Sequence, residues 1–192
     1  MFIQTEATPN PDTLKFLPGR EVSPGTPFQF DSLDDSAPSP LAKALFQLKN
    51  VSSVFLGADY VAVSKTEAAD WAVLKPQVLA AIMDHFMSGL PVVEDSAQGG
   101  SSHDDDETVY EGEAAEIVTE IKELLETRVR PAVAADGGDI VFRRFEKSSG
   151  IVTLTMRGAC AGCPSSTMTL KNGIENLLRH YIPEVTAVEA TE

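Results

Sequence analysis

Cys160 and Cys163 stand two residues apart in RGACAGCPSS, residues 157 to 166, and they are the only cysteines among 192 residues. The thiolate form of cysteine is both nucleophile and metal ligand. A pair at this spacing can serve as a redox dithiol, as half of a zinc site or as half of an iron–sulfur site. The surrounding residue types add information. Gly158, Ala159, Ala161 and Gly162 bring no bulk and leave backbone amides able to approach a charged sulfur cage. Pro164 stands where a helix best tolerates proline, and Ser165, Ser166 and Thr167 suit the first-turn amides. The pair is therefore expected at a helix N-terminus, whose positive end lowers a thiol pKa.

Each chemistry makes its own demand on the rest of the chain. A thioredoxin-like dithiol needs considerable sheet and helix after the pair, whereas the 29 residues beyond Cys163 read as one helix and one strand. Structural zinc asks for four ligands, and His85, His103 and His180 are not at finger-like spacing. His180 lies at the far end of the helix that begins at the pair, about 25 Å away, and is expected to face that helix's last carbonyls. A cubane cluster takes four thiolates, which two chains related by a two-fold axis would supply. The cluster reading therefore carries a homodimer with it, and spacing alone leaves the three chemistries open.

The elements around the pair read clearly. From about Gly112 to Val133, Ala114, Ile117, Val118, Ile121, Leu124, Leu125 and Val129 repeat at three and four, and Glu113, Glu116, Glu120, Glu123 and Glu126 take most of the other face. That pattern predicts an amphipathic helix, limited or bent by Pro131. DGGD at 136 to 139 marks its exit, or shapes the loop beside the cysteines. DIVFRRFE and GIVTLTMRG form a hairpin leading into Cys160. Thr167, Leu170, Ile174, Leu177, Leu178 and Tyr181 carry the buried stripe of the next helix, and EVTAVEA closes as a strand.

The first ninety residues are a separate small α+β domain. Asn-Pro chemistry joins the extended runs Phe2 to Thr5 and Thr13 to Leu17. Ser39 and Pro40 start a short helix, two strands flank Gly57-Ala58-Asp59, and a longer helix follows from Trp71 to Met87, with a possible interruption at Pro76. Trp71, Phe86 and Met87 are expected in the core, and His85 is expected to pack or to end the helix rather than to bind metal. Between the domains, EDSAQGGSSHDDDE lacks large apolar residues and is expected to be a flexible acidic linker. The overall expectation is α+β: one domain over 1–93, a linker over 94–110 and a second domain over 111–192.

The net charge of −14 is concentrated, since residues 94 to 126 hold 12 acids against one base. Such a middle repels a phosphate backbone, so nucleic acid is not expected as a partner. Arg143, Arg144 and Arg157 are the most basic portion of the second domain and read chiefly as a solvated strand face. No apolar run reaches the length of a membrane span, and MFIQTEATPN lacks the layout of a signal or transit peptide. A cytoplasmic, bacterial protein is the expectation, with the mitochondrial matrix as the alternative for a processed form.

DGGDI at 136 to 140, followed by GACAGCPSSTMTLKNGIENLL at 158 to 178, resembles the NifU C-terminal domain. MFIQTEATPNPDTLKFLPG, with DWAVLKP and FMSGLPV, resembles the Nfu N-terminal domain. This resemblance implies a non-enzymatic iron–sulfur scaffold or carrier. Cys160 and Cys163 would ligate a [4Fe–4S] cluster shared across a homodimer, and the cluster would pass to apo iron–sulfur proteins after arrival from upstream assembly factors.

Overall fold

The computed structural model describes residues 2–94, 110–161 and 164–191, and in residues 164–166 only the backbone is described. The chain divides into two compact units, Met1–Ser101 and Ser102–Glu192. Both contain sheet and helix, so the α+β expectation holds.

In the first unit, β1 (Gln4–Ala7) and β2 (Thr13–Leu17) pair antiparallel. Their connection is closed by side chains suited to turns. The Asn10 side chain accepts from the Asp12 amide at 3.0 Å, and Thr8 Oγ1 donates to the Thr13 carbonyl at 2.9 Å. Next come β3 (Phe28–Phe30), α1 (Pro40–Phe46), β4 (Val51–Leu56), β5 (Val61–Lys65) and α2 (Trp71–Ser88). The strands form one antiparallel sheet in the order β1-β2-β5-β4-β3.

Phe16, Val54, Leu56, Val61 and Val63 on the sheet join Leu41 and Leu45 of α1 and Leu74, Val78 and Ile82 of α2 in a single core. Ser39 caps α1 as expected, and Pro40 follows it. Asp70 caps α2, which runs through Pro76 without a break. Trp71 and Phe86 pack against the core, but Met87 is exposed, which corrects its expected burial. The reason is phase, because position 87 falls off the stripe that runs through Leu74, Val78 and Ile82.

The second unit begins with α3 (Glu113–Leu124), which widens into a π-helical turn over Leu125–Val129 and resumes as α4 (Arg130–Ala135). The expected bend at Pro131 thus takes the form of a π turn directly before it. The proline ring crowds the carbonyl four residues back and supplies no N–H, and a wider turn accommodates both defects. β6 (Gly138–Glu146) and β7 (Ile151–Gly158) pair antiparallel, α5 spans Pro164–Tyr181, and β8 (Ala187–Thr191) returns parallel to β7.

The sheet order β6-β7-β8 places β7 in the middle. Ile117, Val118, Ile121, Leu125, Val129 and Val133 pack on Ile140, Leu154, Met156, Ile174 and Leu178. Tyr181 is exposed, and Ile182 just beyond α5 takes the buried place instead.

The two ends of the expected linker are each held by their own unit. The Glu94 amide donates to the Pro38 carbonyl at 2.8 Å, and the Tyr110 hydroxyl accepts from the Phe145 amide at 2.9 Å. The rest of that stretch, 95–109, lies outside the described residues.

Candidate functional site

The site is built where the middle strand of the second unit runs out. β7 ends at Gly158, and Ala159 and Cys160 follow, both buried. Three hydrogen bonds fix this exit. The Ala159 amide donates to the Gly137 carbonyl at 3.2 Å, the Ala161 amide to the Gly158 carbonyl at 3.1 Å, and Thr167 Oγ1 on α5 to the Cys160 carbonyl at 3.0 Å. Strand, loop and helix are thereby tied around Cys160, a residue that is 6% exposed and belongs to the core of the unit.

DGGD divides its labour residue by residue. Asp136 ends α4, and Gly137 turns the chain with φ 80°, a conformation in which a side chain is strained. Gly138 opens β6 beneath the cysteine. A Cβ there would lie 2.5 Å from Cys160 Sγ and 2.8 Å from the Arg157 carbonyl oxygen, so the sulfur rests on bare backbone. Asp139, next along β6, is 5% exposed and faces Arg157 across the β6–β7 register.

A buried carboxylate needs a partner, and Arg130 supplies it with a two-pronged grip, Nε to Oδ1 at 2.8 Å and Nη2 to Oδ2 at 3.0 Å. The same guanidinium also donates to Glu126 one turn earlier. This pairing holds the Arg130 guanidinium above its ordinary pKa, the Asp139 bond being the largest cause. Sequence reasoning missed Arg130. Its one sequence signal is the i,i+4 spacing to Glu126, whereas the bond to Asp139 closes across the α4–β6 turn, where helical and strand periodicities both lapse.

The electrostatics correct the expectation of an acidified thiol. Burial pushes the Cys160 thiol up to about 12, and the carboxylates of Asp136 and Asp139 add to the rise. Removal from water and two nearby negative charges both penalise a thiolate, and together they outweigh the partial charge of a helix end. In the unliganded chain Cys160 is therefore a neutral thiol at physiological pH, and a metal that takes it as ligand must displace its proton.

The second candidate ligand, Cys163, and its neighbour Gly162 lie outside the described residues. Among the described residues no three His, Cys, Asp or Glu side chains converge as a metal site. Of the other candidates, His85 is buried on α2, with Nε2 lacking a hydrogen-bond partner and its ring edge-on to Phe86 at 5.4 Å. His180 is exposed on the last turn of α5. Arg143 donates from Nε to Thr155 Oγ1 at 2.7 Å, and Arg144 is exposed, so these residues decorate the hairpin rather than the cysteine.

Two small α+β units, the second presenting a cysteine on a glycine floor between its middle strand and a helix, define the class. Family comparison agrees with this. The family described as "Scaffold protein Nfu/NifU N terminal" matches residues 3–89, and the one described as "NifU-like domain" matches residues 121–189.

The protein of Drosophila erecta named "NFU1 iron-sulfur cluster scaffold homolog, mitochondrial" is 52% identical over 193 residues, covering 98% of this chain and 64% of its own length. Its Drosophila willistoni counterpart is 51% identical, covering 98% of this chain and 63% of its own. The chain thus spans slightly less than two thirds of these relatives. Among solved structures, a NifU-like protein from Saccharomyces cerevisiae is 26% identical over 50% of this chain and 86% of its own, with a TM-score of 0.45. A Staphylococcus aureus protein is 28% identical over 43% of this chain and 99% of its own, with a TM-score of 0.39.

With both domain families matched in tandem, the chain belongs to the Nfu/NifU family. The expectation of a bacterial cytoplasmic protein is overturned by these relatives, which are named as mitochondrial.

Proposed function

We propose that this chain is a mitochondrial iron–sulfur cluster scaffold or carrier. It is not an enzyme: it holds a [4Fe–4S] cluster between two copies through Cys160 and Cys163 of each, and passes it to apo-proteins. The observation that carries this reading is the seat of Cys160, a sulfur resting on Gly138 where the middle strand of a NifU-like domain ends. Gly138 lets the Cys160 sulfur lie directly against the backbone of β6, a place that any side chain at 138 would take. The donor set fits as well, because thiolates are the ligands such clusters prefer. The names of the relatives support both the cargo and the compartment.

In this reading the chain does no bond-making of its own. Gly137 and Gly138 set the floor, Thr167 holds the Cys160 carbonyl, and the proton leaving Cys160 goes to solvent as iron takes its place. Sharing the cargo between two copies leaves each with half of the ligands, an arrangement suited to release.

Anaerobic reconstitution with iron and sulfide tests the proposal. The expected product is brown, dimeric and carries about four irons per two chains, and it activates an apo iron–sulfur enzyme. Cys160→Ala and Cys163→Ala each abolish cluster and dimer while the first unit stays folded. A colourless monomer after reconstitution, or full cluster in either variant, overturns the proposal.

A further inference from the structure

Thr167 uses its hydroxyl differently from Thr119 and Thr127 of the same unit. Thr119 in α3 donates to the Ala115 carbonyl at 2.8 Å, and Thr127 in the π turn donates to the Glu123 carbonyl at 2.7 Å, each four residues back within its own helix. Thr167 reaches seven residues back, past the start of α5, to the Cys160 carbonyl at 3.0 Å. The helix docks without this bond, because Ile174 and Leu178 are buried in the core and Leu170 and Leu177 pack against it.

The bond falls on the main chain of a candidate ligand. Of the three hydrogen bonds that fix the exit of β7, those of the Ala159 and Ala161 amides join backbone to backbone, whereas the third comes from a half-buried side chain. A hydroxyl exchanges a carbonyl for water at modest net cost, and the two backbone bonds stay in place when it does. On its carbonyl side the Cys160 peptide is thus held by a partner that can let go.

We propose that Thr167 is a positioning residue for Cys160: its hydroxyl keeps the Cys160 peptide at the end of β7, and so sets how readily the cysteine sulfur exchanges its bond partner. This rests on the cluster-carrier reading for its cargo and not for the thiol itself. In one step of transfer, the bond from an iron to Cys160 Sγ breaks and a bond from that iron to an acceptor thiolate forms. Cys160 takes a proton from solvent, the acceptor thiol gives one up, and no oxidation state changes. Thr167 acts only through the carbonyl it holds.

Three substitutions in the full-length chain separate this role from one in folding. Thr167→Val removes the donor and nearly keeps the shape, Thr167→Ser keeps the donor, and Thr119→Val removes a bond of the ordinary helical kind from the same unit. In reconstituted dimer, cluster transfer to an apo iron–sulfur protein should run roughly threefold or more faster in Thr167→Val, the effect of one lost hydrogen bond. Thr167→Ser and Thr119→Val should transfer at the rate of the unaltered chain.

A second arm needs no cluster. In a Cys163→Ser background, Cys160 reacts with a neutral aromatic disulfide, forming a mixed disulfide and releasing one aromatic thiol whose absorbance reports the rate. That rate should rise by a similar factor in Thr167→Val, return in Thr167→Ser and stay level in Thr119→Val.

An unchanged rate for Thr167→Val in either arm, failure of Thr167→Ser to restore it, or an equal rise in Thr119→Val would assign the hydroxyl to folding alone and overturn the proposal. Failure of the unaltered chain to take up cluster defeats the carrier reading instead, while the thiol arm still decides the role of Thr167.

Discussion

Two residues carry predictions that oppose what their types suggest. Gly138→Ala adds only a methyl group, yet that methyl meets the Cys160 sulfur at 2.5 Å and a backbone oxygen at 2.8 Å, and backbone cannot step aside cheaply. The second unit should lose about 2 kcal/mol by calorimetry, and Cys160 should become more reactive as the floor lifts. Gly173→Ala in α5 is the counterexample, because nothing lies within 4 Å of the new carbon. There the same change should stabilise the unit by about 0.5 to 1 kcal/mol by restricting the unfolded chain.

His85 supplies a pH dependence. Burial lowers its pKa below the ordinary 6.5, so the unfolded chain binds the proton more readily than the folded one. Stability of the first unit is therefore unaffected by His85 above about pH 6.5 and declines as pH falls through that value. Trp71 is the sole tryptophan and sits in this unit, so denaturant titrations followed by its emission isolate the effect. His85→Leu should flatten the acid-side decline, and an unchanged slope would show that other groups cause it. At this scale the sequence disclosed Cys160, Gly158 and DGGD, because their types are uncommon in such density. It hid Arg130, and it misjudged the thiol, because burial is not written in local residue types.

Helices and the three hairpins, β1–β2, β4–β5 and β6–β7, were legible because each carries its own punctuation. Ser39 shows how much one such signal can hold. Its Oγ accepts from the Ala42 amide at 3.0 Å, and it also donates to the Val92 carbonyl at 2.7 Å, far along the chain. The residue is completely buried. Ser39→Ala should therefore cost more than a peptide cap, about 2 kcal/mol, since the half-buried Val92 carbonyl loses its donor as well. A Trp71-detected unfolding midpoint that moves only as an exposed cap would, by a few tenths, would assign the Val92 bond no weight. Two elements escaped the sequence for physical reasons. β3 holds three residues, too few to display a period of two, and it is a strand only because β4 offers it partners. The π turn over Leu125–Val129 keeps the same apolar faces as an α-helix, so periodicity does not distinguish them.

At the scale of the molecule, each unit has its own core, and among the described residues no buried residue is shared between the two clusters. A chain cut within 95–109 should yield a first fragment that melts as it does in the whole, read by Trp71, and a second that keeps the hairpin and the seat of Cys160. Loss of cooperative melting in either fragment would show that the cores depend on one another. The division into two domains was visible as a gap in hydrophobicity, whereas the compartment was not, and the relatives' names corrected it.

The middle strand has a further consequence. Ile151 to Thr155 are paired on both sides, with β6 and with β8, so their amides meet deuterium only when the whole unit opens. Cys160 is two residues from the end of that strand. On the clock of hydrogen exchange, then, the sulfur is moored to the slowest part of its unit. An atom fastened to it keeps one fixed address for as long as the unit remains folded.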